Sequence, residues 1–168
     1  MHQDLAALIK PVLDIAVRAG DKILEIYATD FEIETKDDES PLTAADKASH
    51  NTIVAALAKL TPDIPILSEE SDGISWEERS QWPEYWLIDP LDGTKEFIKK
   101  NGEFTVNIGL VQARLPVMGV VFAPAIDTMW WGAVGHGAER RKAGVTEAIA
   151  VRSAPPASGS VAVASRSH

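Results

Sequence analysis

An α+β fold, with helices covering one sheet, is the class this 168-residue sequence predicts. Three observations lead there. Apolar residues recur at helical spacing from Asp4 to Tyr27, a second helical stretch runs from Thr43 to Leu60, and from Phe104 onward the period shortens to that of strands.

In the first helix Leu5, Ile9, Val12, Ala16, Ala19, Ile23 and Ile26 mark one face. Pro11 either kinks this helix or marks its true start. Asp30 to Pro41 is polar and acidic, a loop or a short hairpin. Thr61-Pro62 stops the second helix. Asp63 to Leu67 is a short strand, Ser75 to Gln81 one or two helical turns, and Tyr85 to Ile88 a strand that ends at Asp89-Pro90.

Thr94 to Lys99 can form a helix. Large apolar residues then alternate with small or polar ones over Phe104 to Leu110, a strand with one buried face. Leu115-Pro116 marks a turn before a strand from Val117 to Phe122. Thr128 to Ala133 is the next strand, in which Trp130 and Trp131 point to opposite faces. A turn at Gly135 to Ala138 and strands at Glu147 to Val151 and Val161 to Ala164 complete an antiparallel meander. Ser153 to Ser160 is a flexible connection.

A net charge of -9 argues against a nucleic-acid partner, which requires a basic stripe. It leaves room for a phosphorylated small molecule, because a bound divalent cation reverses the local sign of an acidic site. With no cysteine there is no disulfide framework and no thiolate metal site, in keeping with a cytoplasmic protein. No apolar run is long enough to span a membrane, and the N-terminus lacks the pattern of a signal peptide. The four histidines form no ligand spacing.

Chemistry concentrates in Asp89-Pro90-Leu91-Asp92-Gly93-Thr94. Two carboxylates follow a buried strand and precede a helix, and the Pro90 turn can direct both, with the carbonyl between them, at one point. Hard cations such as Mg²⁺ take oxygen ligands of this kind. Gly93 permits close approach, and the Gly93 and Thr94 amides at a helix start favour a phosphate. The plainer alternative makes Asp92 an N-cap and Asp89 a turn former. Ser68-Glu69-Glu70 delivers an acidic pair, either member of which could join Asp89 and Asp92 around a cation. Asp46 fits a capping box with Thr43, or accepts a hydrogen bond from a hydroxyl such as that of Thr94 and helps orient a water. Lys36 lies upstream in a polar loop, within possible reach of a phosphate.

Thr43-Ala44-Ala45-Asp46, Ser68-Glu69-Glu70 and Asp89-Pro90-Leu91-Asp92-Gly93-Thr94 resemble, in order and spacing, the inositol monophosphatase superfamily of lithium-sensitive, Mg²⁺-dependent phosphatases. The continuation from Lys95 to Ile108 is similar to the 3'(2'),5'-bisphosphate nucleotidases within it. The resemblance implies a layered α/β/α/β/α fold and hydrolysis of adenosine 3',5'-bisphosphate to AMP and phosphate. The superfamily's inositol monophosphatases are the rival, and a catalytically incomplete metal-binding or dimerising fragment is the alternative outside enzymes. The resemblance also implies that Glu69, Asp89, the Leu91 carbonyl and Asp92 hold two Mg²⁺ ions, with a third left open. Leu91, Asp92, Gly93, Thr94 and Lys36 would contact the substrate, and Asp46, Thr94 and Glu69 would carry catalysis. A further ligand aspartate lies in the family's carboxy-terminal half, whereas no aspartate follows Asp127 here. Residues 1–168 are therefore expected to be the amino-terminal, metal-binding part of a longer two-part fold. Homo-oligomerisation and attachment to the inner membrane stay open.

Overall fold

Asp4 holds extended backbone and its carboxylate accepts the Ala6 N–H at 3.1 Å, which opens α1 (Leu5–Tyr27). The computed structural model describes residues 4–29, 33–35, 41–71, 73–155, 157 and 159. Pro11 lies inside α1 and does not start it. The buried face consists of Leu8, Val12, Ile15, Ala16, Ala19, Gly20 and Ile23, so the stripe is turned from the expected one, and Leu5, Ile9 and Ile26 lie only at its margin. A Cβ on Gly20 would come within 2.4 Å of the Phe122 ring, so the glycine lets helix and sheet approach closely.

The strands β1 (Ile33–Thr35) and β2 (Pro41–Thr43) pair as an antiparallel hairpin and lead into α2 (Ala44–Leu60). The Thr61 hydroxyl ends α2 by donating to the Leu57 carbonyl and accepts the indole N–H of buried Trp86 at 2.8 Å. Then come β3 (Ile66–Ser68), α3 (Trp76–Arg79, capped by Ser75), β4 (Glu84–Asp92) and α4 (Thr94–Ile98). The chain continues through β5 (Thr105–Gln112), β6 (Leu115–Ala123), a 3-10 turn (Pro124–Ile126), β7 (Thr128–Ala133), β8 (Gly137–Lys142) and β9 (Val145–Ile149).

The strands β3 to β9 form one seven-stranded sheet in sequence order. Every neighbour is antiparallel except β3 and β4, which run parallel. The α+β class holds, but the sheet is mixed where a purely antiparallel one was expected. The reason is that α2 and α3 flank β3, and the α3 crossover returns the chain in the same direction.

Three boundaries also differ from the sequence reading. The turn between β5 and β6 is Ala113-Arg114, both at positive φ, and Leu115-Pro116 is already strand. Strand β8 was not expected, because Glu139-Arg140-Arg141-Lys142 has no apolar alternation; pairing to β7 and β9 and the Arg140–Glu147 ion pair hold it. Strand β9 begins two residues before the expected Glu147. Val161 to Ala164, Lys36 and the Thr43 side chain lie outside the described residues.

Both long helices cover one face of the sheet, α1 over β5 to β7 and α2 over β3 and β4. Their contact buries Ile23, Ile53, Leu57, Trp86, Ile88, Val106, Ile108 and Leu110. At the end near α4, Tyr27, Phe97 and Phe104 stack with ring centroids 4.9–5.2 Å apart. Lys100 lies over Tyr27 and donates to the carbonyls of Tyr27 and Thr29, so it ties α4 to the end of α1. Trp130 and Trp131 are both half-buried on opposite faces of β7. On the sheet face away from the helices, Leu87 and Val121 are 47% and 40% exposed. Among the described residues no helix is long and apolar enough to cross a membrane.

Candidate active site

Parallel pairing of β3 and β4 places their carboxyl ends side by side. Ser68 pairs with Ile88, and the Glu69 N–H continues the ladder to the Ile88 carbonyl at 3.1 Å. Glu69 and Asp89 are consequently neighbours, and the Glu69 charge acts on the Asp89 carboxyl. Ligand sites form readily at such strand ends.

The expected turn at Pro90 is a bulge inside β4. Asp89 pairs with Asn107 and Asp92 with Thr105, so Pro90 and Leu91 on one strand lie against Val106 alone on the other. The extra residue has a chemical consequence. Side chains three apart on a regular strand point to opposite faces, and the bulge restores Asp89 and Asp92 to the face shared by Thr105 and Asn107. Pro90 fits because it has no N–H to give the ladder at that point. Its carbonyl accepts the hydroxyl of buried Ser49 at 2.7 Å, which pins α2 to the bulge.

After Asp92, Gly93 adopts φ +91°, and a Cβ there would meet the Glu103 carbonyl oxygen at 2.8 Å. Only glycine fits, and it turns the chain into α4. The Thr94 hydroxyl donates to the Leu91 carbonyl at 3.2 Å. Asp46 is 1% exposed in the first turn of α2, one turn before Ser49 and on the same side of the helix. Its face of α2 is therefore directed at the Pro90 segment.

The electrostatics of the pair are unusual. Burial, then the Glu69 and Asp92 charges, push the Asp89 carboxyl from 3.8 up to about 7, against the opposing effect of the Leu91 N–H that donates to it. A buried carboxyl raised in this way beside two others is a ready receptor for a cation. Mg²⁺ is held by one or two carboxylates with waters and phosphate, and Glu69, Asp89 and the Leu91 carbonyl supply oxygen donors of that kind. Among the described residues no three acidic or histidine side chains gather around one point, so the expected three-carboxylate cluster is not formed. Asp92 is exposed and its Oδ2 accepts the Asn107 amide at 3.2 Å instead.

Three contributing residues escaped the sequence reading. Asn107 faces Asp92, Ser49 holds the bulge, and His50 Nδ1 lies 2.9 Å from the Ser68 hydroxyl, which in turn accepts the Glu70 N–H. His50 and Ser49 lie one turn past Asp46, and only the docking of α2 reveals their partners. A cavity of about 720 Å³ opens beside the pair along the uncovered sheet face, between Glu69, Asp89 and Asn107 at one end and Leu87, Gly109 and Val121 along its floor.

The chain is similar to known proteins in sequence and in fold. The chain is 50% identical over 163 residues to the 3'(2'),5'-bisphosphate nucleotidase CysQ of Salmonella typhimurium, an alignment covering 96% of this chain and 64% of that protein. The crystal structure of CysQ from Bacteroides thetaiotaomicron, a bacterial member of the inositol monophosphatase family, superposes with a TM-score of 0.69 at 43% identity. That match covers 81% of this chain and 49% of the other. The extragenic suppressor protein suhB from Bartonella henselae superposes with a TM-score of 0.72 at 27% identity, over 80% of this chain and 52% of its own. The chain spans about 64% of the length of this Salmonella relative and of a second one, CysQ of Escherichia coli O157:H7, to which it is 49% identical. The model of the inositol monophosphatase family matches residues 4–168, and the chain belongs to that family.

Proposed function

We propose that the protein of which these residues form the site is a Mg²⁺-dependent phosphomonoesterase that hydrolyses adenosine 3',5'-bisphosphate to AMP and phosphate. The observation that carries this reading is the Glu69–Asp89 pair at the ends of β3 and β4, in a chain half identical to proteins named bisphosphate nucleotidases.

In this reading Glu69, Asp89 and the Leu91 carbonyl hold one cation, and Asp89 with Asp92 contributes to a second. Bound there, Mg²⁺ supplies positive charge to the phosphoryl oxygens and makes a coordinated water more acidic. The chain's own groups do the rest. The backbone from Leu91 to Thr94 cradles the phosphate where α4 begins, and Lys36 adds a positive charge. Thr94, fixed by the Leu91 carbonyl, and Asp46 would orient the attacking water, with Glu69 assisting. Attack of the water opposite the ester oxygen forms one P–O bond and breaks the other; AMP leaves with a free hydroxyl, whose proton comes from the attacking water. No covalent intermediate with the protein is required.

Phosphate release from adenosine 3',5'-bisphosphate and from inositol 1-phosphate, measured side by side with Mg²⁺, tests the substrate. A clear preference for the inositol ester overturns the assignment. The 168-residue chain is to be compared with the longer protein. Release by the longer protein alone would make these residues the metal-binding part of the enzyme, whereas release by neither overturns the phosphatase reading.

A further inference from the structure

The Asp92 carboxylate is exposed, and an exposed aspartate ordinarily samples several rotamers. Here it is not left to do so. Asn107 Nδ2 donates to Asp92 Oδ2 at 3.2 Å, and the Thr105 hydroxyl donates to Asn107 Oδ1 at 3.1 Å. The three side chains lie on one face because the bulge places Asp92 opposite Thr105 while Asp89 is opposite Asn107.

Donor inventory makes the direction of this chain unique. An ionised carboxylate only accepts, so the amide must present its NH₂ to Asp92. The amide oxygen then needs a donor, and Thr105 supplies one. A leucine at position 107 would have similar volume and no donor. A valine at position 105 would leave the amide oxygen unpaired and remove the bias against the flipped amide, which would set oxygen against oxygen.

We infer that Asn107, oriented by Thr105, is a positioning residue that fixes the Asp92 carboxylate, with one oxygen engaged and the other left for a cation shared with Asp89. The inference rests on the metal site of the proposed function. It assigns Asn107 no contact with the substrate and no proton to transfer. A neutral amide suits the task, since a lysine or arginine there would neutralise the carboxylate and compete with the cation for it. Hydrogen-bond partners of metal ligands commonly matter by 10–100-fold in metal affinity.

The experiment is Mn²⁺ binding to this chain, followed by the electron paramagnetic resonance of free Mn²⁺ and by competition with Mg²⁺. Asn107→Leu is expected to weaken Mn²⁺ binding about tenfold, the lower end of that range, while thermal unfolding in the absence of metal stays close to the parent. Thr105→Val is expected to weaken it about threefold, in line with loss of one supporting hydrogen bond. In the Asn107→Leu background Thr105→Val is expected to add nothing, because the two act in series. If Asn107→Leu fails to fold, Thr105→Val alone carries the comparison. In the longer protein the Mg²⁺ activation constant should rise in Asn107→Leu while the KM for nucleotide at saturating Mg²⁺ holds. Parent protein that binds Mn²⁺ no differently from the variants overturns the positioning role and leaves the metal site standing. Parent protein that binds no Mn²⁺ overturns both.

Discussion

Metal binding at the Glu69–Asp89 pair should expel a proton, and the pH at which it does so follows from the structure. Burial and two neighbouring carboxylates hold the Asp89 carboxyl at about 7 in place of 3.8. About half of the molecules therefore carry this proton at pH 7 and about nine-tenths at pH 6. A cation needs the ionised form, so its apparent affinity should fall about tenfold between pH 8 and pH 6 and change little above pH 8. Titration calorimetry with Mg²⁺ or Mn²⁺ in two buffers of different ionisation enthalpy counts the protons released, close to one at pH 6 and close to none at pH 8.5. Stability carries the opposite sign. A carboxyl whose pKa is raised by folding stabilises the metal-free protein most below pH 4, and that contribution is lost as pH rises through 7. Cation at a hundred times its Kd restores about 2.7 kcal/mol, roughly 5–10 °C in Tm for a chain of this size. Affinity that is flat from pH 6 to 8, with no proton released, would refute the account of Asp89. So would Asp89→Asn binding as tightly as the parent.

Other substitutions probe the framework around the pair. Ser49→Ala removes the buried donor to the Pro90 carbonyl and should cost about 1–3 kcal/mol in urea unfolding; an unchanged midpoint would show that α2 does not pin the bulge. Gly93→Ala forces a side chain into positive φ against the Glu103 carbonyl, and should lower Tm and weaken Mn²⁺ binding together. Binding as tight as in the parent would deny Gly93 its place in the site. Leu57→Ala empties a fully buried position between α2 and the sheet, with an expected loss of about 2–5 kcal/mol; a loss below 1 kcal/mol would contradict the packing of that layer. His50→Phe deprives the Ser68 hydroxyl of its imidazole partner and should loosen the Glu69 turn, read as a severalfold rise in the Kd for Mn²⁺ with little change in Tm. Parent-like affinity would confine His50 to packing.

Much of this architecture is legible in the residues themselves. The limits of α1 and α2 follow from apolar spacing, Asp4 and Thr61-Pro62, and β7 coincides with the expected Thr128 to Ala133 because its apolar residues are flanked by turns. Elements that depend on partners were hidden. Nothing in Glu139-Arg140-Arg141-Lys142 says strand until β7 and β9 lie beside it. Leu115-Pro116 looks like a turn because proline ordinarily marks one, yet the neighbouring Ala113-Arg114 takes the positive φ angles. The same divide runs through the site. The acidic residues and Gly93 can be singled out as chemistry, and the structure sets Glu69 against Asp89. The bulge that brings Asp89 and Asp92 to one face is a property of pairing with β5, and a lone sequence does not contain it. Asn107 looks like any polar position of an alternating strand until its register opposite Asp89 is known. The parallel setting of β3, hidden for the same reason, is what makes Glu69 the neighbour of Asp89.

The most direct measurement is a crystal of the protein soaked in Mn²⁺ as a substitute for Mg²⁺, with the anomalous difference map recorded at the manganese edge. The account predicts a peak coordinated by Glu69, Asp89 and the Leu91 carbonyl, with Asp92 still on Asn107 or sharing the ion, and loss of that peak in Asp89→Asn. A map with no peak at the ends of β3 and β4, or with manganese only at other carboxylates, would contradict it.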